Sequence, residues 1–149
     1  MVRCGVKSAS MKRLKLLILT ALLLSCGVSQ AGEARVTDDQ AIKALIGEAL
    51  HDDKSLYSMA CALNNRIAIM GDLKGVYGFK ASTAHISPKL WQKASKQWFL
   101  ALDGLDVTSG ATHWLSDYDL AHCRPERMGW RFKMVETLYQ GQTHFYKEV

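Results

Sequence analysis

The 149 residues carry 19 Lys+Arg against 14 Asp+Glu, a formal net charge of +5. Five of the bases, Arg3, Lys7, Lys12, Arg13 and Lys15, precede residue 32, so the stretch from Gly32 onward holds 14 charges of each sign. A near-neutral chain has no basic stripe to neutralise phosphates, which excludes a nucleic-acid partner, and residues 32–149 suffice for one domain with a modest core.

The N-terminal segment reads as an export signal, residues 1–31. Met11-Lys12-Arg13-Leu14-Lys15 supplies a basic flank, and Leu16 to Leu24 is an apolar run broken only by Thr20. Such a run is too short to cross a bilayer. Ser29 and Ala31 put small residues where a signal peptidase reads them, so cleavage is expected before Gly32. The product is a monomeric periplasmic or extracellular protein without stable membrane insertion. A second reading takes Leu23-Leu24-Ser25-Cys26 as a lipobox, with a lipid anchor on Cys26. Cys4 and Cys26 leave with the signal, and the remaining Cys61 and Cys123 either bridge or stay as two thiols.

Thr37 or Asp38 caps a first helix that runs to about Leu50. Ile42, Leu45, Ile46, Ala49 and Leu50 make one apolar stripe. At about 100° per residue, Glu48 falls on a flank shared with Ala41 and Ala44, whose side chains are too small to cover it. A carboxylate there borders a groove; the competing account is an ordinary solvated glutamate. His51-Asp52-Asp53-Lys54 reads as a solvated turn. Ser55 then opens a second helix with the stripe Leu56, Met59, Ala60, Leu63, Ile67 and Met70, with Asn64-Asn65-Arg66 beside it and Gly71 as its stop. The two helices are expected to pack stripe to stripe.

Gly75-Val76-Tyr77-Gly78-Phe79 reads as a loop. Ser87-Pro88 opens a third helix, with Ser87 as N-cap and Pro88 at the first helical position. Its stripe is Leu90, Trp91, Ala94, Trp98, Ala101 and Leu102, with the tryptophans expected in the core, and Gly104 ends it. Beyond Leu105, Asp106 to Trp114 has turn residues running into a short extended segment, and Asp117 to Pro125 reads as irregular. Lys133 to Tyr139 and Thr143 to Tyr146 are the arms of a hairpin around Gln140-Gly141-Gln142. Helices first and a small sheet last make the class α+β.

Ile46-Gly47-Glu48-Ala49, then Met59 to Arg66, Gly75 to Phe79, Gly110 to Trp114 and His144-Phe145-Tyr146 form an ordered set. This set resembles the SleB-type cell wall hydrolase family, which includes spore-cortex-lytic enzymes, over roughly residues 38 to 147. The resemblance implies a lysozyme-like helical core with a small C-terminal antiparallel sheet, cleavage of the peptidoglycan glycan strand, and Glu48 as the catalytic acid. Thr112, His113, Tyr139 and Tyr146 are the candidates for lining the cleft, with packing as the competing account. The chain departs from the family at Leu50-His51-Asp52-Asp53, where Arg-Gly-Glu is usual, around Lys80 to His85, and after Trp114, where His122-Cys123 stands in a longer segment. These departures bear on substrate preference.

Breaking a glycosidic bond requires a proton on the leaving oxygen, and a partly dry setting keeps a carboxyl protonated near neutral pH. In the lytic transglycosylase reaction that the resemblance suggests, the same glutamate then acts as base on the 6-hydroxyl of muramic acid, and no second carboxylate is needed. A hydrolysing muramidase needs one, and Asp52 and Asp53 look like turn residues. Two other classes compete. His113, Asp117, Asp119, His122 and Cys123, with His144, offer ligands for a zinc amidase of the peptide stem, but without a recognised ligand spacing, so no metal or other cofactor is expected. A non-catalytic module that binds glycan through Trp and Tyr is the other reading.

Overall fold

The computed structural model describes residues 36–49, 52–80 and 86–149. The export signal with Cys4 and Cys26, Leu50, His51 and residues 81–85 lie outside the described residues. Helix α1, Asp38–Glu48, begins at a capping box: Gln40 N–H donates to the Thr37 hydroxyl while the Gln40 side chain accepts from Thr37 N–H, satisfying two donors that a helix start leaves unpaired. Helix α2, Leu56–Met70, stops at Gly71 with φ of +77°, a left-handed position that glycine adopts without strain. Helix α3, Pro88–Asp103, has Ser87 as its cap and proline in its first turn.

The expected stripe-to-stripe pairing of α1 with α2 is not the main helix contact. Helix α3 packs against both, and α1 and α2 touch each other less than either touches α3. The reason is volume. Trp98 of α3 is buried in the core, and its indole N–H donates to Asp38 of α1 at 2.9 Å, so a bulky indole of α3 is sunk into the helical layer and tied to α1. Trp91 packs on the same core.

The flank of α1 that carries Ala41 and Ala44 is not an open groove either. Both alanines are fully buried, and a 3-10 turn, Gly78–Lys80, lies against this helix. Small side chains there admit backbone rather than solvent.

The hairpin forms as expected and gains a third strand. Strands β1 (His113–Ser116), β2 (Met134–Gln140) and β3 (Thr143–Glu148) make an antiparallel sheet in the order β1-β3-β2, with Trp114 opposite Phe145 and a bulge between Glu136 and Leu138. The segment read as irregular holds a short helix, α4, Asp117–His122, opened by a Ser116/Asp119 capping box. A nine-residue 3-10 segment, Pro125–Lys133, follows it. The class is α+β.

Asp52 is not a solvated turn residue. Its carboxylate accepts from Gln142 N–H at 2.7 Å and Lys54 N–H at 3.0 Å, and a Cβ at Gly141 would sit 2.1 Å from it, so it docks the hairpin tip onto the α1–α2 turn. Burial pushes this carboxyl up, but the donors of Gln142, Ser55 and Lys54 together outweigh burial and hold it below its ordinary value. Asp53, by contrast, is exposed and pairs with Lys93 at 2.5 Å, a surface pair worth about 0–1 kcal/mol. Asp52→Asn should therefore lower stability by about 1–2 kcal/mol at pH 7. A carboxyl depressed by folding contributes stability above its unfolded value of about 3.9 and loses it as pH falls through the folded value. Denaturant unfolding of wild type and variant should thus differ at pH 7 and converge below about pH 4; a gap independent of pH would refute this role.

Candidate active site

Glu48 is the last residue of α1, and two glycines explain its setting. A Cβ on Gly47 would lie 2.1 Å from the Gly78 carbonyl oxygen, and one on Gly78 would lie 2.4 Å from Glu48 N. Backbone therefore packs directly on backbone, which only residues without Cβ permit. That contact delivers the Gly78 N–H to Glu48 Oε1 at 2.6 Å. From the sheet, the Trp114 indole N–H donates to Glu48 Oε2 at 2.9 Å. Each carboxylate oxygen thus has one donor, from segments 30 and 66 residues away in the chain.

The carboxylate borders a cavity of about 560 Å³. Tyr77, Trp114 and Trp130 give it aromatic walls, Arg66 and Arg127 positive charge, and His113, Asp119 and Cys123 further polar groups. The site is concave and mixed apolar and polar, the usual character of a small-molecule or oligomer subsite.

No protein-family model matches the chain, and no curated protein matches it. A crystal structure described as the catalytic domain of the Bacillus cereus SleB protein is similar, with a TM-score of 0.49 and 18% identity, covering 81% of this chain and 98% of that one.

Among the predicted cleft residues, His113 faces the cavity. Its ring centroid is 4.9 Å from that of Trp130, and its Nδ1 is 2.9 Å from the Thr112 hydroxyl. Burial lowers the His113 pKa, the Arg66 charge lowers it further, and Glu148 opposes both. The imidazole is therefore neutral near pH 7, suited to hydrogen bonding rather than to holding an anion.

The other three lie elsewhere. Thr112 is 4% exposed; its N–H donates to the Tyr146 carbonyl at 2.9 Å and its own carbonyl accepts from Arg66 at 3.2 Å, so it frames the site from behind. Tyr146 is 7% exposed and meets Trp130 edge to face at 5.6 Å, which props that indole. Tyr139 belongs to a separate cluster. Its hydroxyl donates to Asp117 at 3.0 Å, while His144 lies between Asp117 at 2.9 Å and Glu136 at 3.1 Å.

The His, Asp and Cys run is drawn to different partners. Asp119 accepts from the Ser116 hydroxyl at 2.6 Å and is 3.7 Å from the Cys123 thiol. His122 stacks on Tyr118 at 4.1 Å, and Asp117 serves His144. Among the described residues, no three His, Cys, Asp or Glu side chains converge to hold an ion. Cys61 and Cys123 are free thiols: Cys61 is buried near the Leu105 carbonyl, while Cys123 borders the cavity, so they form no bridge.

The cavity residues Asp119, Cys123, Arg127, Met128 and Trp130 come from the segment read as irregular or from the stretch just after it. Neither a six-residue helix nor a 3-10 segment sustains the repeat that reveals a buried face in sequence. The Ser116-x-x-Asp119 spacing was the one available sign of a helix start there.

Proposed function

We propose that the protein is an exported enzyme that cleaves the glycan strand of peptidoglycan, with Glu48 as proton donor, by a lytic transglycosylase reaction. One observation carries this reading. Four of the five sequence blocks that resemble the SleB-type family converge on one cavity: Gly47 and Glu48, Arg66, Gly75 to Gly78, and His113 and Trp114 all meet at or behind the same carboxylate. Aromatic walls at Tyr77, Trp114 and Trp130 suit the apolar faces of sugar rings, and Arg127 suits a substrate whose peptide stems carry carboxylates.

The reaction runs on one carboxyl. Glu48 gives its proton to the bridging oxygen as the bond from muramic C1 to that oxygen breaks, leaving a carboxylate and an oxocarbenium-like sugar. Glu48 then takes the proton of the 6-hydroxyl as O6 bonds to C1, which closes the anhydro ring and regenerates the acid. The Gly78 and Trp114 donors keep the carboxyl in place through both transfers.

Asp119 supports a second reading, because it is a second carboxylate on the cavity wall and a hydrolysing muramidase uses a pair. Its commitment to the Ser116 cap favours the single-acid route. Mass analysis of muropeptides after digestion without added metal should show 1,6-anhydromuramic ends, with activity largely retained in Asp119→Asn. Reducing muramic ends together with collapse in Asp119→Asn would make the enzyme a hydrolysing muramidase. Freed stem peptides and loss with chelator would make it an amidase, and strand binding without products a glycan-binding module.

Export rests on the N-terminal segment; no helix among the described residues is long and apolar enough to cross a membrane. Intact-mass measurement of the exported form should give a chain that starts at Gly32, and a diacylglycerol adduct on Cys26 would overturn cleavage there.

A further inference from the structure

Arg66 has no step in the reaction above, yet the residue is only 9% exposed and borders the cavity of Glu48. Taking a cation out of water is costly unless other groups replace the lost hydration. The strain shows in its acidity: burial lowers the Arg66 pKa, while the charges of Asp72 and Glu48 oppose that shift. Among the described residues no carboxylate pairs with it at salt-bridge distance. Its hydrogen bonds go to two backbone carbonyls instead, from Nη1–H to Thr112 at 3.2 Å and from Nη2–H to Lys74.

The positions of those carbonyls are informative. Thr112 precedes Trp114 by two residues on the way into β1, and Lys74 precedes Gly78 by four. Trp114 and Gly78 are the two donors to Glu48. Between Lys74 and Gly78 the chain turns tightly around the guanidinium. Gly75 has φ of +83°, and a Cβ there would lie 3.5 Å from Nη2. Neighbouring residues of α2 extend the same pattern, with Asn64 donating to Ala101 at 3.4 Å and Asn65 to Ala111 at 3.1 Å.

We propose that Arg66 is a positioning residue: its planar fork clips the 74–78 loop to the start of β1 and so sets the spacing of the two N–H donors that hold Glu48. The catalytic consequence rests on Glu48 being the proton donor as proposed above; the clip itself does not. Lysine cannot substitute, because a single ammonium lacks the rigid fork that reaches two separated carbonyls.

Nitrogen-15 NMR of the full chain tests this, read at the Trp114 indole N–H and the Gly78 amide. The Trp98 indole N–H, bound to Asp38 at 2.9 Å, is the internal control, and Glu48→Gln calibrates the shift expected when the carboxylate is lost. Arg66→Lys and Arg66→Gln should both move the Trp114 and Gly78 resonances and leave Trp98 in place. Muropeptide release should fall about tenfold or more in kcat, roughly the worth of one hydrogen bond to a charged group, with KM little changed. Wild-type resonances at both donors in Arg66→Lys would overturn the proposal. Unfolding of both variants, or shifts that spread equally to Trp98, would make Arg66 a general support of the core and overturn it too. Full activity in Glu48→Gln would remove the proposed reaction while the resonances still decide the clip.

Discussion

Glu48→Gln should slow muropeptide release from purified peptidoglycan by on the order of a hundredfold or more, the usual worth of a positioned general acid. Glutamine keeps the shape of the side chain but has no proton to give and cannot take one back. The substitution also has a structural cost. Glu48 accepts one N–H on each oxygen, whereas an amide has one acceptor and one donor, so either Gly78 or Trp114 must face an NH2 group. About 1–2 kcal/mol of stability should be lost for that reason. Assays well below the melting transition separate the two effects. Activity within a few-fold of wild type in folded Glu48→Gln would remove Glu48 from the chemistry and turn attention to Asp119 and His113.

Gly47→Ala should be nearly as damaging to activity, although it leaves every polar side chain of the site in place. The new Cβ would fall 2.1 Å from the Gly78 carbonyl oxygen, and because the obstacle is backbone, no side chain can swing aside. The 3-10 turn must move away from α1, which breaks the 2.6 Å bond from Gly78 N–H to Glu48. A displacement of about 1 Å at a reacting group can cost on the order of a hundredfold in rate, and forced overpacking costs about 1–3 kcal/mol. Gly129→Ala is the matched control, since a Cβ there would meet nothing within 4 Å. Equal activities for Gly47→Ala and Gly129→Ala would show that the glycine contact does not set the geometry of the site.

Much of the architecture is local and so was legible in the residue order. Thr37 and Ser87 are hydroxyl caps whose partners lie three residues on, and Gly71 ends α2 by its own backbone preference. The buried faces of the three long helices and the hairpin around Gly141 repeat with the periods of helix and strand. Glu48 was visible for a related reason: it interrupts an apolar helix beside small residues.

What those small residues mean was decided by the tertiary fold. Ala41 and Ala44 read as an open flank, yet they are covered by a turn some 30 residues away, because close approach of two backbones depends on two glycines and leaves no repeat in either segment. Asp52 read as solvated, and the hairpin tip 90 residues on gives it a partner. Asp119 read as part of a ligand run, but its helix cap and its place on the cavity wall come from the turn after β1. Trp130 gave no sign at all, since a 3-10 segment has no sustained period and the indole is set by Tyr146 and His113 from the neighbouring sheet. Sequence alone therefore determined the three long helices, the hairpin and the one carboxylate that stands out. Which groups surround that carboxylate depended on contacts between distant segments, where packing and backbone donors act without any signature along the chain.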